Sequence, residues 1–225
     1  MQRIFDIFFS GLALIILSPL LLPLMFLLRV TGEGEIFFTQ DRVGQGGKYF
    51  KLYKFATMLK DSPNIGTGTI TVKNDPRILP IGGFLRNTKI NELPQLINIF
   101  RGDMSVIGPR PQTQRCFDAF PLSAQNEIKK VRPGLSGIGS IIFRNEEDIM
   151  QANNYPDKFY DEIVMPYKGS LESWYVSNKS VGSYFSLIGL TVWVVLSSNS
   201  DPVWAMFKDL PEPPAELKQA LNYTY

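Results

Sequence analysis

Residues 7–28, IFFSGLALIILSPLLLPLMFLL, run for 22 positions without a formal charge. As a straight helix this stretch would be roughly 33 Å long, about one bilayer core. No other feature restricts the fold as much, because lipid tolerates only backbone whose polar groups are satisfied internally. Three readings compete: a transmembrane helix, a cleaved signal peptide, and a segment that enters and leaves on one side. The stretch is long for a signal peptide, and no small-x-small site follows it. Pro19 and Pro23 withhold donors from the carbonyls of Ile15 and Pro19, and the Ser18 hydroxyl is placed to bond back to the Leu14 carbonyl. Arg3 and Arg29 flank the segment, and basic residues prefer the cytoplasmic side. A re-entrant hairpin kinked at Ser18-Pro19 fits both observations. A second apolar run, residues 184–196, covers only about 13 positions, too few to cross. It reads as a buried or interfacial helix.

Charge narrows the chemistry. The net charge is +2, but residues 41–115 hold 12 Lys and Arg against 5 Asp and Glu, so the rest is acidic. Clustered guanidinium and ammonium groups suit phosphate. Nucleic acid is not the expected owner of that phosphate, since the chain has no zinc-finger spacing, RNP motif or basic amphipathic helix. There is no histidine and one cysteine, Cys116. A Ser-His-Asp triad, a histidine metal site and an intrachain disulfide are therefore excluded.

The turn-rich stretch 32–34 marks the exit from the apolar segment. Residues 36–39 and 49–53 read as short strands around the loop Gly44-Gln45-Gly46-Gly47, and residues 61–71 as a loop. In NELPQLINIFRG, residues 91–102, Leu93, Leu96, Ile97 and Phe100 share one helical face. Asn91 is a suitable N-cap and Gly102 a suitable stop. Glu92 then sits in the first turn, where unpaired N–H groups favour an anion. A bland alternative is that Asn91 only caps and Glu92 only complements the helix dipole. In GPRP, residues 108–111, the flanking prolines stiffen Arg110, which suits a phosphate clamp as well as a plain surface turn. Residues 132–139 are again turn-rich, and 158–165 and 171–179 have helical character. The tail from residue 201 holds four prolines and is expected to be loosely packed, with a short helix at 215–221.

Several motifs in order carry a resemblance. Ser18-Pro19 lies in the apolar segment, followed by DRVG (41–44), YKFATM (53–58), NDPR (74–77), GFLR (83–86), NELPQ (91–95), GDMS (102–105) and GPRP (108–111). Together they resemble the monotopic phosphoglycosyl transferases, bacterial sugar transferases that start exopolysaccharide, O-antigen or glycoprotein glycan assembly. The likeness is dense over residues 1–140 and thinner through 160–196, where Pro166, Lys168, Leu171 and Tyr175 still fit.

The resemblance implies an α/β fold, mostly α with a small sheet. It implies a re-entrant membrane helix at residues 1–30, a compact cytosolic catalytic domain with interfacial amphipathic helices at 31–200, and a Pro-rich tail at 201–225. It implies a UDP-sugar donor, Mg²⁺, a polyprenyl phosphate such as undecaprenyl phosphate as acceptor, and UMP as leaving group. Residence at the cytoplasmic face of the bacterial inner membrane follows, with downstream glycosyltransferases as partners and room for a homodimer. Glu92 would carry Mg²⁺. Arg86 and Arg110 would hold phosphate, with Lys54, Arg42 and Arg77 as secondary candidates, and Pro109 and Pro111 would flank the nucleotide. Asp41, Asp75 and Asp103 are spare acids, expected as partners for these bases.

One departure matters. The family places a nucleophilic Asp where this chain has Asn91, and a neutral amide cannot act as a carboxylate nucleophile. Ala56 also replaces a more usual Arg. Direct attack by lipid phosphate, another carboxylate such as Glu92 or Asp103, or a weakly catalytic chain would each accommodate Asn91. A non-catalytic membrane scaffold and a nucleotide-sugar hydrolase are the competing functions.

Overall fold

The computed structural model describes residues 1–64, 75–151, 155–197 and 200–223. Most of the expected 61–71 loop, and Asn74 of NDPR, lie outside the described residues. The chain forms two compact units. The smaller comprises Phe5–Asp41 and Lys51–Arg101, and the larger comprises Met1–Ile4, Arg42–Phe50 and Gly102–Tyr225. Helices dominate, with two two-stranded sheets, in agreement with a mostly α fold carrying little sheet.

The chain opens with α1 (Gln2–Val30), a helix that runs through both Pro19 and Pro23. It is long and apolar enough to cross a membrane. The Ser18 hydroxyl donates to the Ile15 carbonyl at 2.7 Å, not to Leu14 as expected. That is the carbonyl Pro19 leaves without a donor, so the side chain replaces the missing main-chain bond where the helix would otherwise break. Leu14, Leu17, Leu21, Leu24 and Leu28 recur at helical spacing and pack with Phe55 and Leu85 into the core of the smaller unit. Ile15, Ile16, Leu20, Leu22 and Phe26 stay exposed, a continuous apolar flank.

Strands β1 (Phe37–Val43) and β2 (Tyr49–Phe55) form a hairpin around the expected 44–47 loop, each extending beyond the short strands expected at 36–39 and 49–53. Its loop turns at Gly46 and Gly47, both at positive φ. Next come α2 (Gly82–Asn87) and α3 (Gln95–Arg101). Here the structure corrects the sequence reading. Residues 90–92 form a separate 3₁₀ turn, so Asn91 caps no helix and Glu92 is not in the first turn of α3. Pro94 is the physical reason: it has no N–H for the Ile90 carbonyl, which instead accepts from Leu93 at 3.1 Å. Lys89, at φ 59°, turns the chain into this segment. Phe100, expected on the apolar face, is half exposed, and Ile99 takes the core position.

In the larger unit, β3 (Ser105–Ile107) runs parallel to β4 (Gly134–Ser136), with Ser105 opposite Gly134 and Ile107 opposite Ser136. Between them lie α4 (Gln114–Asp118) and α5 (Leu122–Ile128). Phe117, Phe120, Ala124 and Ile128 build a core there with Val43 and Met165. After β4 come α6 (Ile138–Ile142), α7 (Glu146–Gln151) and α8 (Pro156–Phe159). A π turn over residues 160–164 leads from α8 into α9 (Met165–Ser177), so the two predicted helical pieces are one nearly continuous rod. Pro166 does not interrupt it, because the π turn has already shifted the bonding at the junction, with Met165 donating to the Tyr160 carbonyl, so no α-type donor is required of the next residue.

The second apolar run is α10 (Val181–Ser197), buried at Tyr184, Leu187, Leu190 and Val194 and exposed at Phe185, Val192, Trp193, Val195 and Leu196. The tail is not loose. In α11 (Pro202–Met206) and α12 (Ala215–Lys218), Val203, Trp204 and Leu217 are buried. Tyr167 donates to the Pro211 carbonyl at 2.8 Å and Trp174 to Asp209 at 2.9 Å, fixing the tail to α9. The prolines there end helices without excluding packing.

Candidate active site

In the smaller unit the 3₁₀ turn presents Glu92 to Lys54 of β2, with Nζ 2.9 Å from Oε1 and both side chains about one-fifth exposed. The pair is reachable from solvent yet partly shielded, where charge interactions are stronger than at an open surface. Asn91, one residue earlier, is buried, and its Oδ1 has no hydrogen-bond partner. Helix α2 packs against the turn and carries Arg86, whose Nη1 lies 3.5 Å from the Met58 sulfur. Asn98 of α3 ties down β2: its side chain accepts from the Tyr53 N–H and donates to the Lys51 carbonyl. Lys54 is thereby held on a strand fixed to the helix that follows the turn.

Arg77 is placed differently from the phosphate role expected of it. Its side chain is buried, with Nε 2.8 Å and Nη2 2.5 Å from the two carboxylate oxygens of Asp75, and Nη1 2.7 Å from the Ser62 carbonyl. This guanidinium holds the fold. Asp75 is the structural partner the sequence anticipated, whereas Asp41 pairs at 2.7 Å with Lys51, a base outside the candidate set.

In the larger unit, GPRP follows β3 and the chain doubles back over β4. The Gly108 N–H donates to Ser136 at 2.9 Å, and the Gly134 N–H donates to the Pro109 carbonyl at 2.8 Å. Arg42 Nη1 donates to the Pro111 carbonyl at 3.1 Å, and the Val43 N–H to the Gln112 carbonyl at 3.0 Å. Arg42 thus positions the loop. A Cβ at Gly134 would lie 2.1 Å from the Gly108 nitrogen, and one at Gly137 2.2 Å from the Gly108 oxygen. Only glycine allows this approach, and the turn-rich look of residues 132–139 has that cause. Pro109, Arg110 and Gln112 line a small open hollow with Val43, Gly44 and Phe117.

Sequence reasoning missed a set of charges beneath this loop. Glu172 of α9 is buried, and the Arg110 main-chain N–H serves it as a donor. Lys168, one helical turn earlier, is also buried, with Nζ 2.7 Å from Glu146 Oε1 and 5.1 Å from the centre of the Phe143 ring. Burial pushes the Glu172 carboxyl up to about 7, against the pull of Lys168 and Arg110. The i, i+4 spacing of Lys168 and Glu172 in the sequence was the available sign.

No cluster of three metal-ligating side chains occurs among the described residues. The donor set nonetheless fits Mg²⁺, which takes one or two carboxylates and fills its remaining positions with water and phosphate oxygens. Glu92 is such a carboxylate.

The sequence profile of bacterial sugar transferases matches residues 1–198. The chain belongs to the bacterial sugar transferase family. This sugar transferase is 36% identical over 159 residues to an exopolysaccharide production protein, ExoY, of Sinorhizobium fredii, across 64% of the chain and 70% of the relative. It is 43% identical over 127 residues to a protein of Bacillus subtilis named as a putative undecaprenyl-phosphate N-acetylgalactosaminyl 1-phosphate transferase, across 56% of the chain and 68% of the relative. The undecaprenyl-phosphate galactose phosphotransferase of Salmonella typhimurium matches 87% of the chain at 32% identity, and there the match covers only 40% of the relative. The transferase's motifs are therefore divided between its two units, NELPQ in the smaller and GPRP in the larger.

Proposed function

We propose that this transferase moves a phospho-sugar from a UDP-sugar to undecaprenyl phosphate, releasing UMP and initiating a membrane-associated glycan. The observation that carries the reading is the partly shielded Glu92–Lys54 pair on the NELPQ turn, in a chain of the sugar transferase family. The names of the relatives support an undecaprenyl phosphate acceptor and an exopolysaccharide setting.

Phosphoryl transfer depends on alignment and charge neutralisation more than on proton movement. Glu92 would hold Mg²⁺, which when bound supplies positive charge to the diphosphate oxygens. Lys54 orients Glu92. Arg86 binds phosphate oxygens, and Arg110 does so from the stiff GPRP loop, with Pro109 and Pro111 bordering the nucleotide. Because residue 91 is an amide, transfer proceeds in one displacement. A lipid phosphate oxygen attacks the phosphorus that bears the sugar, the P–O bond to UMP breaks, and UMP leaves with the bonding pair.

The apolar flank of α1 supports membrane anchoring. In this reading α1 bends at Ser18-Pro19 within one leaflet of the inner membrane. Both ends lie on the cytoplasmic side, and the exposed face of α10 rests in the interface. A dimer, and hand-over to later glycosyltransferases, are compatible with it.

The test is a panel of radiolabelled UDP-sugars with undecaprenyl phosphate and Mg²⁺ in detergent micelles. One sugar should give lipid-linked product with stoichiometric UMP, and both Glu92→Ala and EDTA should abolish it. Inertness of the wild type across the panel would leave a membrane scaffold as the function. UMP release without lipid would indicate a hydrolase.

A further inference from the structure

Pro109-Arg110-Pro111 has one main-chain donor, since neither proline has an N–H. Two of its three carbonyls are engaged on either side, that of Pro109 by Gly134 and that of Pro111 by Arg42. The one donor, the Arg110 N–H, is directed at the Glu172 carboxylate. Glu172 itself is held at a cost. It is 2% exposed, and its Oε2 is buried without a hydrogen-bond partner. Its Oε1 lies where a Cβ on residue 139 would approach to 2.4 Å, so a side chain on α6 there would displace the carboxylate. A leucine at 172 would avoid burying a charge and would pack in this core.

We infer that Glu172 is a positioning residue: its carboxylate fixes the Arg110 backbone and so aims the Arg110 guanidinium, while Lys168 keeps that carboxylate charged inside the protein. This rests on the assignment of Arg110 to substrate phosphate above. Lys168 and Glu172 stand one turn apart on α9, and Lys168 is itself fixed by Glu146 of α7 and by the Phe143 ring. Other charged groups on elements packed against α9 are engaged elsewhere, with Glu127 of α5 on Lys130, Asp161 on Arg115 and Glu162 on Lys158. An ionised carboxylate accepts from an N–H about twice as strongly as a neutral one. Loss of its charge therefore loosens the single donor contact of the loop. The raised carboxyl pKa places that loss near neutrality.

Two measurements test this on the full-length protein in nanodiscs. The first follows the ¹⁵N-arginine amide resonance of Arg110 with pH. It should titrate with a midpoint near 7 in the wild type, move to higher pH in Lys168→Met, and stay flat in Glu172→Gln. An Arg110 amide that does not titrate, or one that titrates unchanged in Glu172→Gln, overturns the inference. This readout stands even if no UDP-sugar is turned over, so its failure is separable from failure of the transferase assignment. The second is the pH profile of kcat/KM for the UDP-sugar. It should rise roughly tenfold from about pH 6 to about pH 8, as expected for one essential ionisation, and the rise should vanish in Glu172→Gln. In an Arg110→Ala background, Glu172→Gln should cost nothing further, because both act through one group. Fully additive losses would show that Glu172 serves stability alone.

Discussion

Asn91 and Glu92 stand side by side with opposite environments, one an amide with a buried unpartnered oxygen and the other a carboxylate on a lysine. A covalent route needs a carboxylate at 91, and the amide removes it. Isotope exchange between labelled UMP and a UDP-sugar without lipid is therefore expected to be absent in the wild type and to appear in Asn91→Asp. Exchange in the wild type would mean that another side chain forms the adduct. Arg77 makes the opposite case, since its guanidinium is already held by Asp75 and a carbonyl. Asp75→Asn should lower the melting temperature while leaving KM for the UDP-sugar of the folded fraction unchanged. A raised KM would return Arg77 to the phosphate site. Residue type alone could not separate Arg77 from Arg86, because burial depends on contacts formed by distant parts of the chain.

At the scale of elements, the close approach of GPRP to β4 depends on atoms that are absent. Gly134→Ala would drive a Cβ to 2.1 Å from a backbone nitrogen, which has no rotamer to move away. Overpacking of this kind costs at least about 1–3 kcal/mol. Thermal unfolding in detergent should show a clearly reduced midpoint, with activity lost in parallel. What the sequence could convey at this scale follows from how local each cause is. The turn residues of the hairpin, the two helical pieces of the α8–α9 rod and the apolar length of α1 have local causes and were legible, whereas the joining of those two pieces through residues 160–164 was not. The 3₁₀ turn at 90–92 was not, because the helical pattern from Leu93 to Phe100 outweighed the missing N–H of Pro94. The parallel β3–β4 pair escaped as well, since its strands are three residues each and their partner lies far along the chain. The packing of the tail was hidden by its prolines, which predict breaks in helices and say nothing of burial.

For the molecule as a whole, the buried Glu172 couples stability to pH. Its carboxyl holds a proton more tightly folded, at about 7, than at the ordinary value of 4.5. The folded state therefore binds more protons between these values, and its contribution is complete below pH 4.5 and lost as pH rises through about 7. The midpoint of unfolding should fall across that window in the wild type, and the fall should be smaller in Glu172→Gln. An identical decline in both would place the titrating group elsewhere. The other whole-chain consequence concerns the order of synthesis. Gln2 donates through Nε2 to Ser105, to the Ile107 carbonyl and to the Tyr175 hydroxyl, 173 positions away. At cellular elongation rates, on the order of ten seconds separate these residues as they leave the ribosome. The turn that carries Gln2 must wait undocked until the unit that receives it has been made, so Gln2→Ala, which removes all three contacts, should slow maturation far more than the exposed substitution Glu216→Ala on α12.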